Sequence, residues 1–199
     1  MEPIISKQEV NELMALEGKV KGDGMKNYTD FILKEEGEEG LKRLEETITN
    51  LGYPIRYREM KAMEFLPIGL EAITLLAIKR LFNYDDEKFQ EMGRFGSKFS
   101  IIIRLFTRYF VSPEKLLKEA SKMWRKGCTV GDFRVVEYNK DKNYLILRLE
   151  DYRLHPIHCQ IFKGSILSAL QMILKIKATC EETKCLYRGD NYHEFLVKW

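Results

Sequence analysis

Over the first 127 residues, apolar side chains recur every three or four positions; beyond that they recur every second one. The first spacing belongs to one face of an α-helix, the second to one face of a β-strand. Residues 6–17 predict a first helix. Ser6 followed by Glu9 has capping-box form, and Val10, Leu13, Met14 and Leu16 supply the apolar positions. Gly18, Gly22 and Gly24 break it. A second helix opens near Met25, with Tyr28, Phe31 and Ile32 as its stripe, and stops at Gly37. A third carries Leu41, Leu44, Ile48 and Leu51 and stops at Gly52. Residues 65–82 predict a broad apolar helix, with Leu66, Leu70, Ile73, Ala77 and Leu81 on one face and Leu75, Ile78 and Phe82 beside it. A long helix over 86–111 places Phe89, Met92, Phe99, Ile103, Phe106 and Phe110 on one seam, with Gly96 where another backbone can approach. Ser112-Pro113 caps a further helix that ends at Gly127.

After Gly127 the period drops to two. Residues 132–139 and 143–152 alternate as two strands around the turn-forming run Asn139-Lys140-Asp141-Lys142-Asn143, which predicts a hairpin. A helix over 157–173 follows, then strands over 175–187 and 194–199 joined by Arg188-Gly189-Asp190-Asn191. The expected fold class is α+β: N-terminal and central helices packed on a C-terminal β-β-α-β-β antiparallel sheet. Residues 1–127 form the mainly helical part and 128–199 the ββαββ part, read together as one domain over 1–199.

Composition narrows the function classes. With 199 residues, 45% apolar and 32% charged, the chain can bury a sizeable core. A net charge of +3 offers no concentrated basic face, so no nucleic-acid partner is expected. Apolar runs are too short to span a bilayer, the N-terminus has no secretory pattern, and four irregularly spaced cysteines make no disulfide framework. A reduced, cytoplasmic protein is expected. No phosphate-binding glycine loop, nucleophile elbow or HExxH motif occurs, so a regulatory role is expected over a catalytic one.

The chemistry-bearing residues gather at the end of the chain. All three histidines (His155, His158, His193) and three of four cysteines (Cys159, Cys180, Cys185) lie between residues 155 and 199. Cys159-x4-Gly164, a helix, and then Cys185-Leu-Tyr-Arg-Gly189-Asp190-Asn-Tyr-His193-Glu-Phe195-Leu-Val197 resemble the end of the 4-vinyl reductase domain, with His193 where that family has its last cysteine. Glu91-Met-Gly93-Arg94-Phe-Gly96 resembles the Gly-Arg segment of the same relatives. Ser112-Pro113, Trp124 and Gly127 are similar to a related bacterial group with a helical N-terminal half. The wider superfamily includes the heme-based H-NOX sensors and the TRAPP tethering subunits. The resemblance implies a small-molecule-binding or sensory domain, often a homodimer, with an apolar pocket between helices and sheet. In TRAPP relatives that pocket takes an acyl chain, so the expected partner is an apolar small molecule or lipid.

Three chemistries follow. Cys159, Cys185 and His193, with His158 or Cys180 as fourth ligand, form a candidate zinc set; the alternative is buried thiols packed as small apolar groups and a surface histidine. Second, H-NOX relatives hold heme through a histidine on a central helix and a Tyr-x-Ser-x-Arg pattern. This chain has no histidine before His155 and lacks the pattern, so H-NOX-type heme is not expected. Third, Leu75, Ile78, Phe82, Phe89, Phe99, Ile103 and Phe106 are candidate pocket residues, with Arg94 for an anionic head group. The same stripes also suit a plain core or a dimer seam, and Arg94 and Arg104 also suit snorkelling to solvent.

Overall fold

The computed structural model describes residues 4–100, 113–174 and 177–199. Among them the helices are α1 (Lys7–Met14), α2 (Asp23–Asn50), α3 (Ile68–Phe82), α4 (Asp86–Phe99), α5 (Pro113–Gly127) and α6 (Pro156–Leu174). The strands are β1 (Lys19–Lys21), β2 (Phe65–Pro67), β3 (Asp132–Asn139), β4 (Tyr144–Glu150), β5 (Thr179–Lys184) and β6 (His193–Lys198). The class is α+β, as the change of period predicts. No helix among the described residues is long and apolar enough to cross a membrane.

Ser6 caps α1 through a complete capping box with Glu9. Glu9 then reaches across to α3, accepting from Arg80 at 3.0 and 2.5 Å. The Arg80 guanidinium, followed by the Ser6 backbone N–H and hydroxyl, holds the Glu9 carboxyl down at about 2, against an ordinary 4.5. A carboxyl depressed by native partners contributes stability above its unfolded pKa and loses it as pH falls through the folded one. Amide protection in α1 is therefore expected to decline between pH 4.5 and about 2, and an Arg80→Gln variant to flatten that decline. Hydrogen exchange read across the pH series measures both.

The two helices predicted on either side of Gly37 are one element, α2, kinked where Gly37 takes φ 68° and ψ −168°. Only glycine enters that region cheaply. Three boundaries differ from the sequence reading. Residues 65–67 form β2, not helix, and pair with β1 through Val20 and Leu66; strands of three residues are too short for alternation to register. The helix predicted to 111 ends at Phe99, because Ser100 turns extended at ψ 121°; residues 101–112 lie outside the described set. The strand predicted from 175 begins at Thr179 and ends at Lys184, and it carries a bulge between Glu182 and Lys184.

The main sheet has the order β3-β4-β6-β5, antiparallel throughout. On β4, Leu145, Leu147 and Leu149 are buried, opposite Val197, Phe195 and His193 of β6. α6 lies across this face and buries Ile166 and Leu170 there. Its other flank meets α4 backbone to backbone. A Cβ on Gly93 would stand 2.2 Å from the Ile161 carbonyl oxygen, and one on Gly164 2.0 Å from that of Gln90. Ser97 and Ser165 hydroxyls donate across the seam to Ser165 O and Gly93 O, both at 3.2 Å. α6 is thus fixed from two sides, and its N-terminal turn and third face are left to build sites.

Candidate functional site

That third face reads His158, Ile161, Phe162, Ser165, Ile166, Ala169 and Leu170, an unbroken three-four spacing. Opposite it, α5 presents Ala120, Met123, Trp124 and Gly127 with the same spacing. Together with Phe133, Leu147, Tyr152 and residues of α2 and α3, the two faces line a cavity of about 320 Å³. From His158 to Leu170 it follows α6 for roughly 18 Å. Ring contacts of Trp124 with Phe133, Tyr152 and Phe162, at 5.3 to 5.7 Å between centroids, make an aromatic wall.

One end of the cavity is polar. Tyr28 donates its hydroxyl to Glu71 Oε1 at 2.7 Å, and His158 Nε2 lies 3.5 Å from the same oxygen. Burial, then the Glu71 charge, pushes the Tyr28 and Tyr152 phenols well above their ordinary range. Both hydroxyls therefore stay protonated and able to donate.

None of the described residues predicted from the central helices lines this cavity. Leu75, Ile78 and Phe89 are sealed in the core at 0% exposure. Phe82 packs at the core edge, Arg94 lies partly buried beside the α4–α6 seam, and Phe99 is 53% exposed. Ile103 and Phe106 lie outside the described residues. The physical reason is size: bulky side chains on those faces meet one another and fill the space between their helices. The empty volume follows α5 and α6, where Ala120, Ser165 and Ala169 leave it.

A second site lies at the N-terminal turn of α6. Cys159, Glu182, Cys185 and His193 bring their ligating atoms within 4.8 Å of one another. Cys159 Sγ is 3.8 Å from Cys185 Sγ and 3.6 Å from His193 Nδ1; His193 Nδ1 is 3.1 Å from Glu182 Oε1. A tetrahedron with about 2.3 Å to sulfur and about 2.05 Å to nitrogen sets S···S near 3.8 Å and S···N near 3.6 Å. The two separations from Cys159 match those values, and the His193–Glu182 pair is closer, at hydrogen-bond distance.

Supporting contacts fix the ligating atoms. His193 Nε2 lies 3.3 Å from the Tyr152 carbonyl, which orients Nδ1 toward the sulfurs. The Cys185 N–H donates to Asp190 Oδ2 at 2.8 Å, and the Cys185 carbonyl accepts from Arg188 and Asp190 backbone N–H groups, so the strand turns tightly around the thiol. Burial, then the Glu182 charge and Cys185, pushes the Cys159 thiol far up. For Glu182 burial acts upward, but hydrogen bonds from His193, Cys159 and Cys185 outweigh it and hold the carboxyl below its ordinary value.

Three of the four candidate ligands named from sequence thus converge. His158 does not; it turns into the cavity toward Glu71. Cys180 packs, half-buried, against the cluster of Leu145, Leu147, Ile166, Leu170, Phe195 and Val197 between α6 and the sheet. The fourth member is Glu182, whose pair with Glu181 reads in sequence as solvated charge at a strand end. Its side chain is 6% exposed. Alternation along β5 is the available signal, since it turns Glu181 outward and Glu182 inward.

No family model matches the sequence, and no curated protein matches it. Solved structures do. A doubly substituted variant of the Tt H-NOX protein aligns at TM-score 0.65 and 16% identity over 90% of this chain and 94% of its own. An H-NOX protein from S. oneidensis in the Fe(II)NO ligation state aligns at 0.63 and 14%, over 89% and 98%. A trafficking protein particle complex subunit 3 from Naegleria fowleri, covalently bound to palmitic acid, aligns at 0.46 and 20%, over 65% and 92%. The chain is an α+β protein built around a ligand-sized cavity. Its fold is that of the H-NOX proteins.

That fold implies heme, and the described residues do not fit it. The one histidine on the cavity wall, His158, lies beside Glu71 through Nε2, and its Nδ1 is sealed from solvent and cavity alike, with no partner. The single described cation on the wall is Lys21, whose Nζ sits 5.4 Å over the Phe65 ring. Two propionates need cations, and the described wall offers the Glu71 carboxyl instead.

Proposed function

We propose that this chain is a ligand-binding sensory domain that takes an apolar small molecule into the cavity between α5, α6 and the sheet, and that it regulates and does not catalyse. The observation carrying this reading is the cavity: an elongated, aromatic-walled space of about 320 Å³ beside the buried core. Protein interiors seldom leave so much volume empty, and pockets of this size suit small ligands. The H-NOX fold supports the reading at the level of architecture. A homodimer is part of the proposal, as the route by which the bound state is passed on, and sedimentation of the pure protein measures it.

Ala169 stands near the Leu170 end of the cavity face of α6, so Ala169→Phe puts a ring into the apolar end of the space. The neutral fluorescent probe N-phenyl-1-naphthylamine is expected to bind the wild-type protein at one site and to bind Ala169→Phe at least ~10-fold more weakly. Equal binding by the two proteins, or none by either, rejects the reading.

A second reading is favoured by the thiol–imidazole–carboxylate cluster: a bound zinc ion held by Cys159, Cys185, His193 and Glu182. Its support is the match between the 3.8 and 3.6 Å separations and a tetrahedral shell. Four protein ligands leave no open position, so the ion's proposed role is structural, pinning β5 and β6 to the start of α6. This reading retains, as a proposal, the likeness of these residues to the 4-vinyl reductase ending.

A further inference from the structure

Resting on the cavity reading, we infer that the guest is an amphiphile whose polar end is a hydrogen-bond donor, an alcohol or an amine, and that the site discriminates against carboxylates. The cavity has two chemically distinct ends. Toward Leu170 the α6 wall is Ile166, Ala169 and Leu170; toward the start of α6 it is Glu71, Tyr28, His158 and Tyr152. Tyr28, Glu71 and His158 partly satisfy one another, but a wholly apolar guest would leave the Tyr152 hydroxyl unpaired, and unpaired buried polar groups are costly.

Two groups at that end are placed to receive a head group. Tyr152 is 3% exposed and lines the cavity, and its hydroxyl has no hydrogen-bond partner among the described residues. The same oxygen is not sealed off by its neighbours, whereas His158 Nδ1 is. A phenol in this state can accept from, or donate to, a guest. The second group is Glu71, buried at 5% exposure. Its Oε1 is occupied by Tyr28 and faces His158, while no hydrogen bond is made to Oε2 among the described residues. An acceptor-only carboxylate with an unused oxygen binds O–H or N–H and repels another carboxylate, more strongly the drier its surroundings.

The chemistry of the remaining wall agrees. Lys21, the described cation, lies against the Phe65 ring. Among the described residues no guanidinium or ammonium points into the polar end, where a fatty-acid head would need one.

The test compares decanol, decylamine and decanoate as competitors of N-phenyl-1-naphthylamine on the wild-type protein at constant pH and salt. One chain length keeps the apolar contribution fixed, so differences report the head group. Decanol and decylamine are expected to displace the probe, with decanoate at least ~10-fold weaker. In Tyr152→Phe decanol is expected to weaken ~3- to 10-fold, the loss of one buried hydrogen bond. In Glu71→Gln the amine is expected to lose most of its advantage and decanoate to approach the alcohol. The wild-type comparison needs no variant to fold. Decanoate competing as well as decanol overturns the inference. So does failure of all three against a probe that is itself bound, and in that case the cavity reading stands. If the probe does not bind, the cavity reading falls and this inference with it.

Discussion

Loaded with zinc and then dialysed, the protein is expected to retain one equivalent of metal, and Cys185→Ser and Cys159→Ser to retain none. Cys159 Sγ already stands at tetrahedral separations from the Cys185 sulfur and the His193 nitrogen, and the imidazole is aimed by the Tyr152 carbonyl. Cys159, at the start of α6, is far in sequence from the other three, with Glu182 on β5, Cys185 just after it and His193 opening β6. An ion here ties three elements of the folded chain together, and the unfolded chain lacks Cys159 beside the other three. At free zinc ~1,000-fold above Kd this contributes about 4 kcal/mol, which for a chain of this size is a rise in Tm of roughly 10 °C. Chelator is expected to reverse the rise in the wild-type protein and to leave both serine variants unmoved. Glu182→Gln keeps three ligands and is expected to bind zinc more weakly while still responding to it. Elemental analysis and thermal melts with and without chelator decide the matter. A wild-type protein that emerges metal-free and melts at one temperature in both conditions sinks the zinc reading, and the thiols are then packed as small apolar groups.

The two sites are not equally legible in the sequence. Strand periodicity places β3 and β4 to within two residues, because a hairpin with one buried face alternates cleanly at Leu145, Leu147 and Leu149. The proline at the start and the glycine at the end fix α5 in the same way. Cys159, Cys185 and His193 stand out because ligating residue types are rare and clustered at the chain's end. Glu182 does not, because acids are common and a pair of them at a strand end reads as solvated. Alternation along β5 separates the two, and the register on β6, Glu182 opposite Phe195, fixes Glu182 as the one inside. The cavity is misplaced by the sequence pattern for a different reason. Hydrophobicity reports that a face is buried, not whether what covers it leaves a gap. The richest faces, on α3 and α4, carry the largest side chains and close up on themselves. The gap lies where α5 and α6 present small residues between large ones, and α6 is apolar nearly all round, so no stripe singles out the cavity face.

Gly164→Ala is expected to lose about 1–2 kcal/mol of stability, although alanine is the better helix former. In an exposed helix interior this exchange gains about 1 kcal/mol. Here the added carbon would sit 2.0 Å from the Gln90 carbonyl oxygen and 3.1 Å from the Arg94 nitrogen, both backbone atoms of α4. Neither can swing aside as a side-chain tip would. The helices must separate, and separation stretches the Ser97–Ser165 and Ser165–Gly93 hydrogen bonds that close the seam. Overpacking of this kind costs typically about 1–3 kcal/mol and occasionally more, which exceeds the propensity gain. Gly24→Ala is the matched control: its Cβ would meet its nearest neighbour, Glu71 Oε1, at an ordinary 3.6 Å, so it is expected to be neutral or slightly stabilising. The consequence of Gly164→Ala reaches both sites, because α6 carries Cys159 at one end and the cavity face along its length. A displaced α6 is expected to weaken zinc and probe binding together, whereas Cys185→Ser affects the metal alone and Ala169→Phe the probe alone. Denaturant melts of the two glycine variants, with zinc and probe titrations on the folded fraction, measure all of this. A Gly164→Ala protein as stable as wild type, with both sites intact, would show that the α4–α6 seam is looser than its backbone contacts require.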